Sequence, residues 1–280
     1  MSAYQSQRFA IGGFLKHPAI LLLLGLELFP LYMALQASWK DNAAFIASPW
    51  LPSPFSEWQW QNWSSAFQLL LPSLANSIFV AGLTTVVQLT ISIGGAYFFA
   101  RRKMPGANLL WGAFIILMML PAVLNIVPLF MVLKSLSLLN TLWALILVGI
   151  AAGQAFNLYI LRNFMEDLPG DLFEAAEIDG ASHLSQIRHV VLPLSLPIIG
   201  TLSILTFLAN WNEFLLPLLV LRDHDLFTIG VRLIYLDGEY VRQWGQLMAA
   251  FLLAAVPLFL IFLFTMRWFV KGLSEGAVKG

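Results

Sequence analysis

Glu174-Ala175-Ala176-Glu177-Ile178-Asp179-Gly180 is a polar interruption in a chain otherwise suited to lipid. After nine intervening residues comes Val190, then one more residue, then Leu192-Pro193. Between Glu166 and His189 acids and bases crowd together, although the flanking sequence is almost wholly apolar. Charges are costly in and near a bilayer, so such a dense segment implies a reader outside the chain.

The composition fixes the class. Of 280 residues, 59% are hydrophobic and 11% charged, with a mean hydropathy of +0.80. Ordinary soluble domains carry about 25% charged residues. A soluble core has no room for this much apolar surface, which makes the chain an all-α, polytopic membrane protein. Cysteine is absent, excluding disulfides and thiolate chemistry. The histidines, His17, His183, His189 and His224, form no ligand cluster, so no metal site is expected. With zero net charge and no basic stripe, nucleic acid is not a partner.

Six apolar segments approach or exceed the about 20 residues that a bilayer requires. They lie at 18–38, 73–100, 107–134, 141–162, 192–221 and 245–269. The first has no small-x-small cleavage site and is read as a retained helix. With the N-terminus inside, the inner segments hold Arg8, Lys16, Arg101, Arg102, Lys103, Arg162, Arg188, Arg267, Lys271 and Lys279. The outer ones hold Lys40, Lys134, Arg222, Arg232 and Arg242. The positive-inside bias therefore puts both termini in the cytoplasm, together with the stretch 163–190. Trp39, Trp50, Trp58, Trp60 and Trp63 gather around the first outer loop, as an interfacial belt would. That loop contains Pro52, Pro54 and Pro72 and is expected to be ordered but irregular, with a short interfacial helix at 61–71. The link from Ser135 to Thr141 makes spans three and four an antiparallel hairpin, and Pro121 and Pro128 should kink span three. The organisation is 1–72 (tail, first span and Trp-rich loop), 73–272 (a five-helix core with the 163–190 loop) and 273–280 (a tail).

Within 163–190, Asp171 suits an N-cap with Glu174 three residues on, a capping box with Asp in place of Ser. Pro169 as the first helical position is the alternative, but leaves Leu168 as a cap without an acceptor. A short acidic helix should run to about Asp179. Gly180 can take the left-handed conformation that ends it. Ser182 then caps a second short helix carrying Leu184, Ile187 and Val191, and Pro193 and Pro197 begin the fifth span. An amphipathic helix lying on the inner leaflet is the plain alternative. Such helices carry Lys and Arg toward anionic lipid, whereas this one is acidic.

The E-A-A, three residues, G, nine residues, aliphatic, x, L-P spacing resembles the coupling loop of ABC importer permeases. Further matches run in order along most of the chain. They are Asn76-Ser77, Tyr97 through Arg101 to Pro105-Gly106, Leu120-Pro121, Pro128-Leu129-Phe130 and Leu139-Asn140-Thr141. Asn210-Trp211-Asn212-Glu213-Phe214 with Pro217 follows, then Phe269-Val270-Lys271-Gly272 and Gly276-Ala277-Val278-Lys279-Gly280. The set resembles the maltose-type carbohydrate ABC importer permease, the smaller subunit of a heterodimeric pair. The resemblance implies the type I importer permease fold in a bacterial inner membrane. It implies a homologous permease, an ABC ATPase dimer and an extracytoplasmic solute-binding protein as partners. Glu174, Ala175, Ala176, Glu177, Asp179, Gly180, Ser182, Leu192 and Pro193 would dock the ATPase, and Gly276, Ala277, Val278, Lys279 and Gly280 would reach into its dimer interface. This chain would bind no cofactor; ATP and Mg would sit on the ATPase. The sequence agrees in lacking a G-x-x-x-x-G-K-[ST] phosphate loop. Sugars, oligosaccharides, polyols and sugar phosphates all stay open as cargo.

Asn125, Asn157, Asn210, Trp211, Asn212 and Glu213 are the candidate pathway residues. Asn125, Gln154 and Asn157 serve equally well as polar ties between helices, and Glu213 as a packing acid near the outer interface. Glu27, near mid-membrane, must be neutral, paired, or facing water or a partner. The competing readings are an ion-coupled secondary transporter using Glu27 as a proton carrier, and a membrane enzyme. The first leaves the acidic loop unexplained, and no paired catalytic carboxylates support the second.

Overall fold

In lipid an apolar run must satisfy its own backbone N–H and C=O groups, and a helix does so within one segment. The structure, a computed structural model, describes the backbone of residues 3–102, 105–238 and 242–277 and the side chains of residues 16–102, 105–121, 124–238 and 242–266. Every regular element among the described residues is helical. Among the described residues, five helical stretches are long and apolar enough to cross a membrane: Lys16–Ser38, Trp60–Arg101, Leu142–Glu166, His183–Val220 and Trp244–Met266. The chain divides into two compact units, Met1–Leu70 with Tyr235–Ala255, and Leu71–Ile234 with Val256–Gly280.

The first unit holds α1 (Ala3–Ser38), α2 (Asn42–Ala47) and the beginning of α3 (Trp60–Arg101). Asp41 caps α2 by accepting the Ala44 N–H at 2.7 Å. The outer loop is ordered, as expected, but its tryptophans pack on one another: Trp39 lies 4.6 Å from both Trp58 and Trp60 and 5.1 Å from Trp63, centroid to centroid. Lys40 is buried beneath the loop with its ammonium on the Ser48 and Leu51 carbonyls. Burial pushes it below the usual lysine value.

Three expectations about element boundaries give way. The separate interfacial helix at 61–71 is instead the first part of α3, which runs unbroken through Pro72 for 42 residues. One proline removes one hydrogen bond, and a long helix tolerates that where neighbours resupply the backbone. Span three is broken rather than kinked: α4 (Ala107–Met119) and α5 (Ile126–Ser135) are joined by a 3₁₀ turn, Ala122–Asn125. Pro121 drives Leu120 into an extended conformation, φ −77° and ψ 124°. Pro128 falls in the first turn of α5, where its missing N–H costs nothing. The fourth apolar stretch is likewise two helices, α6 (Leu142–Ala152) and α7 (Gln154–Glu166), meeting at Gly153. Asn140, in the α5–α6 link at φ +59°, accepts the Arg222 and Asp223 N–H groups, both at 2.9 Å, on its side-chain oxygen.

The remaining elements are α8 (Gly170–Ile178), α9 (His183–Gln186), α10 (Leu192–Trp211), α11 (Leu215–Val220), α12 (Ile229–Asp237) and α13 (Trp244–Ala277). The expected second loop helix is only the four residues of α9. A π turn, Ile187–Val191, then runs straight into α10. Pro193 would otherwise drive its ring into the carbonyl four residues back, and the wider turn ends with Leu192 N–H on Ile187 O, just before that proline. In the second unit one core cluster joins Ile93 and Tyr97 of α3 and Leu161 and Met165 of α7. Phe173 of α8 and Leu202 of α10 complete it.

Candidate functional site

Two places in the second unit are candidates for function. The first is the 163–190 loop. Its helix α8 starts at Gly170 behind Pro169, with no side-chain cap. The Asp171–Glu174 capping box is therefore not formed. Asp171 sits in the first turn, where a carboxylate still favours the positive end of the helix. The C-terminus follows expectation. Gly180 has φ +74°, its N–H bonds Glu177 O at 3.0 Å, and Ala181 N–H bonds Ala176 O at 2.9 Å. This is a Schellman stop. Ser182 caps α9 by accepting the Ser185 N–H at 3.3 Å.

The loop is held from its own chain. Phe173 is buried, and the Arg101 guanidinium lies 4.3 Å from its ring centre while donating to the Met165 and Leu168 carbonyls. Arg102 pairs with Glu177 at 2.9 Å and also donates to Nδ1 of His183, again at 2.9 Å. The Tyr97 hydroxyl accepts from Arg102 at 3.2 Å and donates to Gln186 at 2.6 Å. Tyr97, then Glu177, hold the Arg102 guanidinium further above its ordinary value. Glu177, although exposed, is thus tied back to the chain by Arg102. Glu174, Ala175, Asp179, Gly180, Ser182 and Pro193 are exposed, and Ala176 and Leu192 half-buried. Two large apolar side chains stand out with them, Ile178 at 86% and Leu184 at 74% exposure. The sequence reading missed Phe173, Arg101 and Arg102. Two arginines ending span two on the side of an acidic loop were the available signal.

The second place is a cavity of about 620 Å³. Asn157, Asn210, Asn212 and Glu213 line it, as do Gln88, Thr206 and Thr228. Asn157 donates to Thr206 Oγ1 at 3.0 Å, and Asn210 to the Thr206 carbonyl at 2.8 Å. The carboxylate of Glu213 accepts the Leu215 and Leu216 N–H groups at 2.9 and 3.1 Å, which restarts the helix as α11. It therefore both faces the cavity and satisfies backbone. Trp211 is buried and stacked on Phe207 at 5.7 Å, off the cavity wall. Asn125 is exposed and also off the wall, although its neighbour Ile126 lines it. Gln154 ties α7 to α3 through Ser92 at 2.7 Å and the Gln88 carbonyl at 3.2 Å.

Close approach of these helices rests on Gly149 and Gly153. A Cβ on Gly149 would lie 2.5 Å from Asn210 Oδ1 and 2.8 Å from Thr84 Cγ2; one on Gly153 would collide with the Gln88 amide. Their G-x-x-x-G spacing is a recognised device for close helix packing in membranes and was the unread signal. Glu27 is exposed on α1 and pairs with no described side chain of the chain. Gly276 and Ala277 close α13, and Val278, Lys279 and Gly280 lie outside the described residues.

Comparison with known proteins adds to this geometry. A family model described as binding-protein-dependent transport system inner membrane component matches residues 89–275. A probable ABC transporter permease of Bacillus subtilis (strain 168) is 33% identical over 258 residues, 90% of this chain and 84% of its own. The maltose/maltodextrin transport system permease of Salmonella typhimurium is 32% identical, covering 95% of each. The sn-glycerol-3-phosphate transport system permease of Salmonella typhi is 35% identical, covering 93% of this chain and 95% of its own. In three dimensions the chain is similar to a subunit of a bacterial ABC transporter that imports the acidic polysaccharide alginate. The TM-score is 0.82 at 22% identity, over 93% of this chain and 97% of that one.

Proposed function

The chain belongs to the family of binding-protein-dependent transport system inner membrane components, and on that footing we propose that it is the permease subunit of an ATP-driven ABC importer for a sugar or related carbohydrate. It is the smaller of two homologous permeases in a bacterial inner membrane, with both termini in the cytoplasm. An ATPase dimer carries ATP and Mg, and a solute-binding protein delivers cargo from outside. Closure of the ATPases pushes on α8, and the helices joined to it rock the pathway between inward- and outward-facing states. The tail Gly276–Gly280 reaches the ATPase interface.

The observation that carries this reading is the two-sidedness of α8. Phe173 and Glu177 fasten one side to α3 and α7, while Glu174, Ala175 and Ile178 stand exposed on the other. A helix fixed to the bundle yet presenting an acidic and apolar edge is suited to transmit force from a partner. An ion-coupled transporter would leave that edge without a reader. The maltose/maltodextrin and sn-glycerol-3-phosphate cargoes of the relatives support a carbohydrate or a polyol derivative.

Purification of the complex tests the reading. The wild-type chain should bring down a stoichiometric ATPase and support ATP-dependent uptake in proteoliposomes. Glu174→Lys should lose both, because charge reversal at a partly desolvated contact turns attraction into repulsion. Wild-type ATPase association and uptake by Glu174→Lys would count against it.

A further inference from the structure

We propose that His183 is a positioning residue for the 163–190 loop and makes coupling pH-sensitive. A neutral ring ties the start of α9 to the Arg102 guanidinium, and a protonated ring releases it. This rests on the importer reading and adds a control to it.

Proton count fixes the state of the ring. Arg102 Nη2 lies 2.9 Å from Nδ1 of His183. A guanidinium only donates, so Nδ1 must accept, which requires a neutral ring with its proton on Nε2. The Tyr97 hydroxyl lies 3.2 Å from the same nitrogen and 2.6 Å from Gln186 Oε1. An amide oxygen only accepts, so the hydroxyl proton goes to Gln186. That leaves Arg102 as the donor to Nδ1.

A second proton on the ring turns Nδ1 into a donor. It then meets the N–H of Arg102, and two cations face each other across a hydrogen-bond distance. The Tyr97 oxygen could take that proton, but it already accepts from Arg102 at 3.2 Å. Glu177 of α8 offers one carboxylate, and Arg102 holds it at 2.9 Å. The other neighbours leave this balance unchanged. Phe98 of α3 meets the ring edge-on at 5.7 Å and carries no charge. Asp179 precedes α9 and Arg188 follows it, one charge of each sign and both exposed. His189 is turned onto the Ser185 carbonyl at 3.0 Å. Lys103 lies outside the described residues.

α9 is thus fastened to α3 at two points one turn apart. Gln186 is buried, 1% exposed, and its bond to Tyr97 involves no histidine. His183 is exposed, so protons reach it from solvent. Histidine is the side chain whose ordinary titration falls between about pH 5 and 8. The His183 tie is therefore present with the neutral ring and lost as pH falls and the ring takes its proton. α9 then pivots about Gln186, and the exposed Leu184 beside it loses its aim.

The test uses the assembled transporter in nanodiscs at about pH 8 and about pH 6. Hydrogen exchange over 181–187 is corrected for the intrinsic effect of pH on exchange. Hydrolysis of ATP stimulated by the solute-binding protein is measured alongside. In the wild type, exchange should be about three-fold faster at the lower pH, and stimulation should fall by a similar factor. Each protein is compared with itself, so titration elsewhere in the complex is common to all variants. His183→Asn supplies an oxygen that accepts from Arg102 and never takes a proton, and should flatten both responses. His183→Lys, a fixed cation, should exchange fast at both pH values. His189→Asn should keep the wild-type response. Equal wild-type exchange at the two pH values would overturn the proposal. So would a full response surviving in His183→Asn, a response lost in His189→Asn, or altered exchange with unaltered stimulation. Absence of any stimulation in the wild type at about pH 8 would instead sink the importer reading, and exchange would still report on the His183 tie.

Discussion

The 163–190 loop and the first helix both present unfinished surfaces, but of opposite kinds. In the loop, Phe173 is sunk in the core and Glu177 is paired to Arg102, while Glu174, Ala175 and Ile178 of α8 are left open. In α1 every residue from Lys16 to Tyr32 is exposed, including Glu27, which has no described partner. The loop's own chain decides its position. The chain leaves α1 undecided, since a leucine-rich surface is content in lipid while a carboxylate among the leucines is not. Two acids of the same type therefore differ: Glu177 is a fastener, and Glu27 stands exposed with no partner among the described residues.

The comparison breaks most readily at Phe173. Phe173→Ala should free α8 at a cost of about 3–5 kcal/mol and abolish coupled uptake. Hydrogen exchange over 170–178 should speed up strongly while α10 stays protected, and unchanged exchange there would show that the ring is no anchor. Gly180→Val comes next. A β-branched residue at φ +74° is strained by about 1–2 kcal/mol, so the Schellman stop should loosen and misaim α9. Normal uptake at normal membrane abundance would remove that reading.

The Arg102–Glu177 pair is partly exposed, so its own worth is small. A double-mutant cycle of Arg102→Ala and Glu177→Ala, read by thermal unfolding of the complex, should give a coupling of about 0.2–1 kcal/mol. A value of zero would reduce the pair to an incidental contact. Smallest of all is Glu27→Gln. With no partner among the described residues, it should leave the stability of the isolated chain within about 0.5 kcal/mol and transport nearly unchanged. A complex that assembles fully but transports nothing would instead point to proton coupling.

How much of this was legible depended on how local the cause was. Gly180 could be read because few other residues accept a positive φ, and Ser182 because a hydroxyl before a helix has an immediate backbone target. The apolar spans announced themselves by length. The start of α8 was misplaced by two residues because an aspartate favours the cap and the first turn alike. The prolines misled in both directions. Pro72 permits a continuous helix, Pro121 breaks one, and Pro193 follows a π turn; which occurs is decided by packing that one residue does not encode. Gln88 and Thr228 meet one cavity from distant parts of the chain, and no spacing rule connects them. The same holds for Arg102 with Glu177 and His183, which only the fold brings together.

If an ATPase reads α8, it should touch the exposed side of that helix and leave α1 alone. The chain has no native cysteine, so single substitutions can carry a cross-linker without background. Ile178→Cys and Leu22→Cys, each labelled with the same photoactivatable maleimide in membranes containing the whole transporter, give a direct comparison. We expect Ile178→Cys to capture the ATPase and nothing else in high yield, and Leu22→Cys to capture no ATPase. ATPase capture from Leu22→Cys, or none from a transport-competent Ile178→Cys, would contradict the claim.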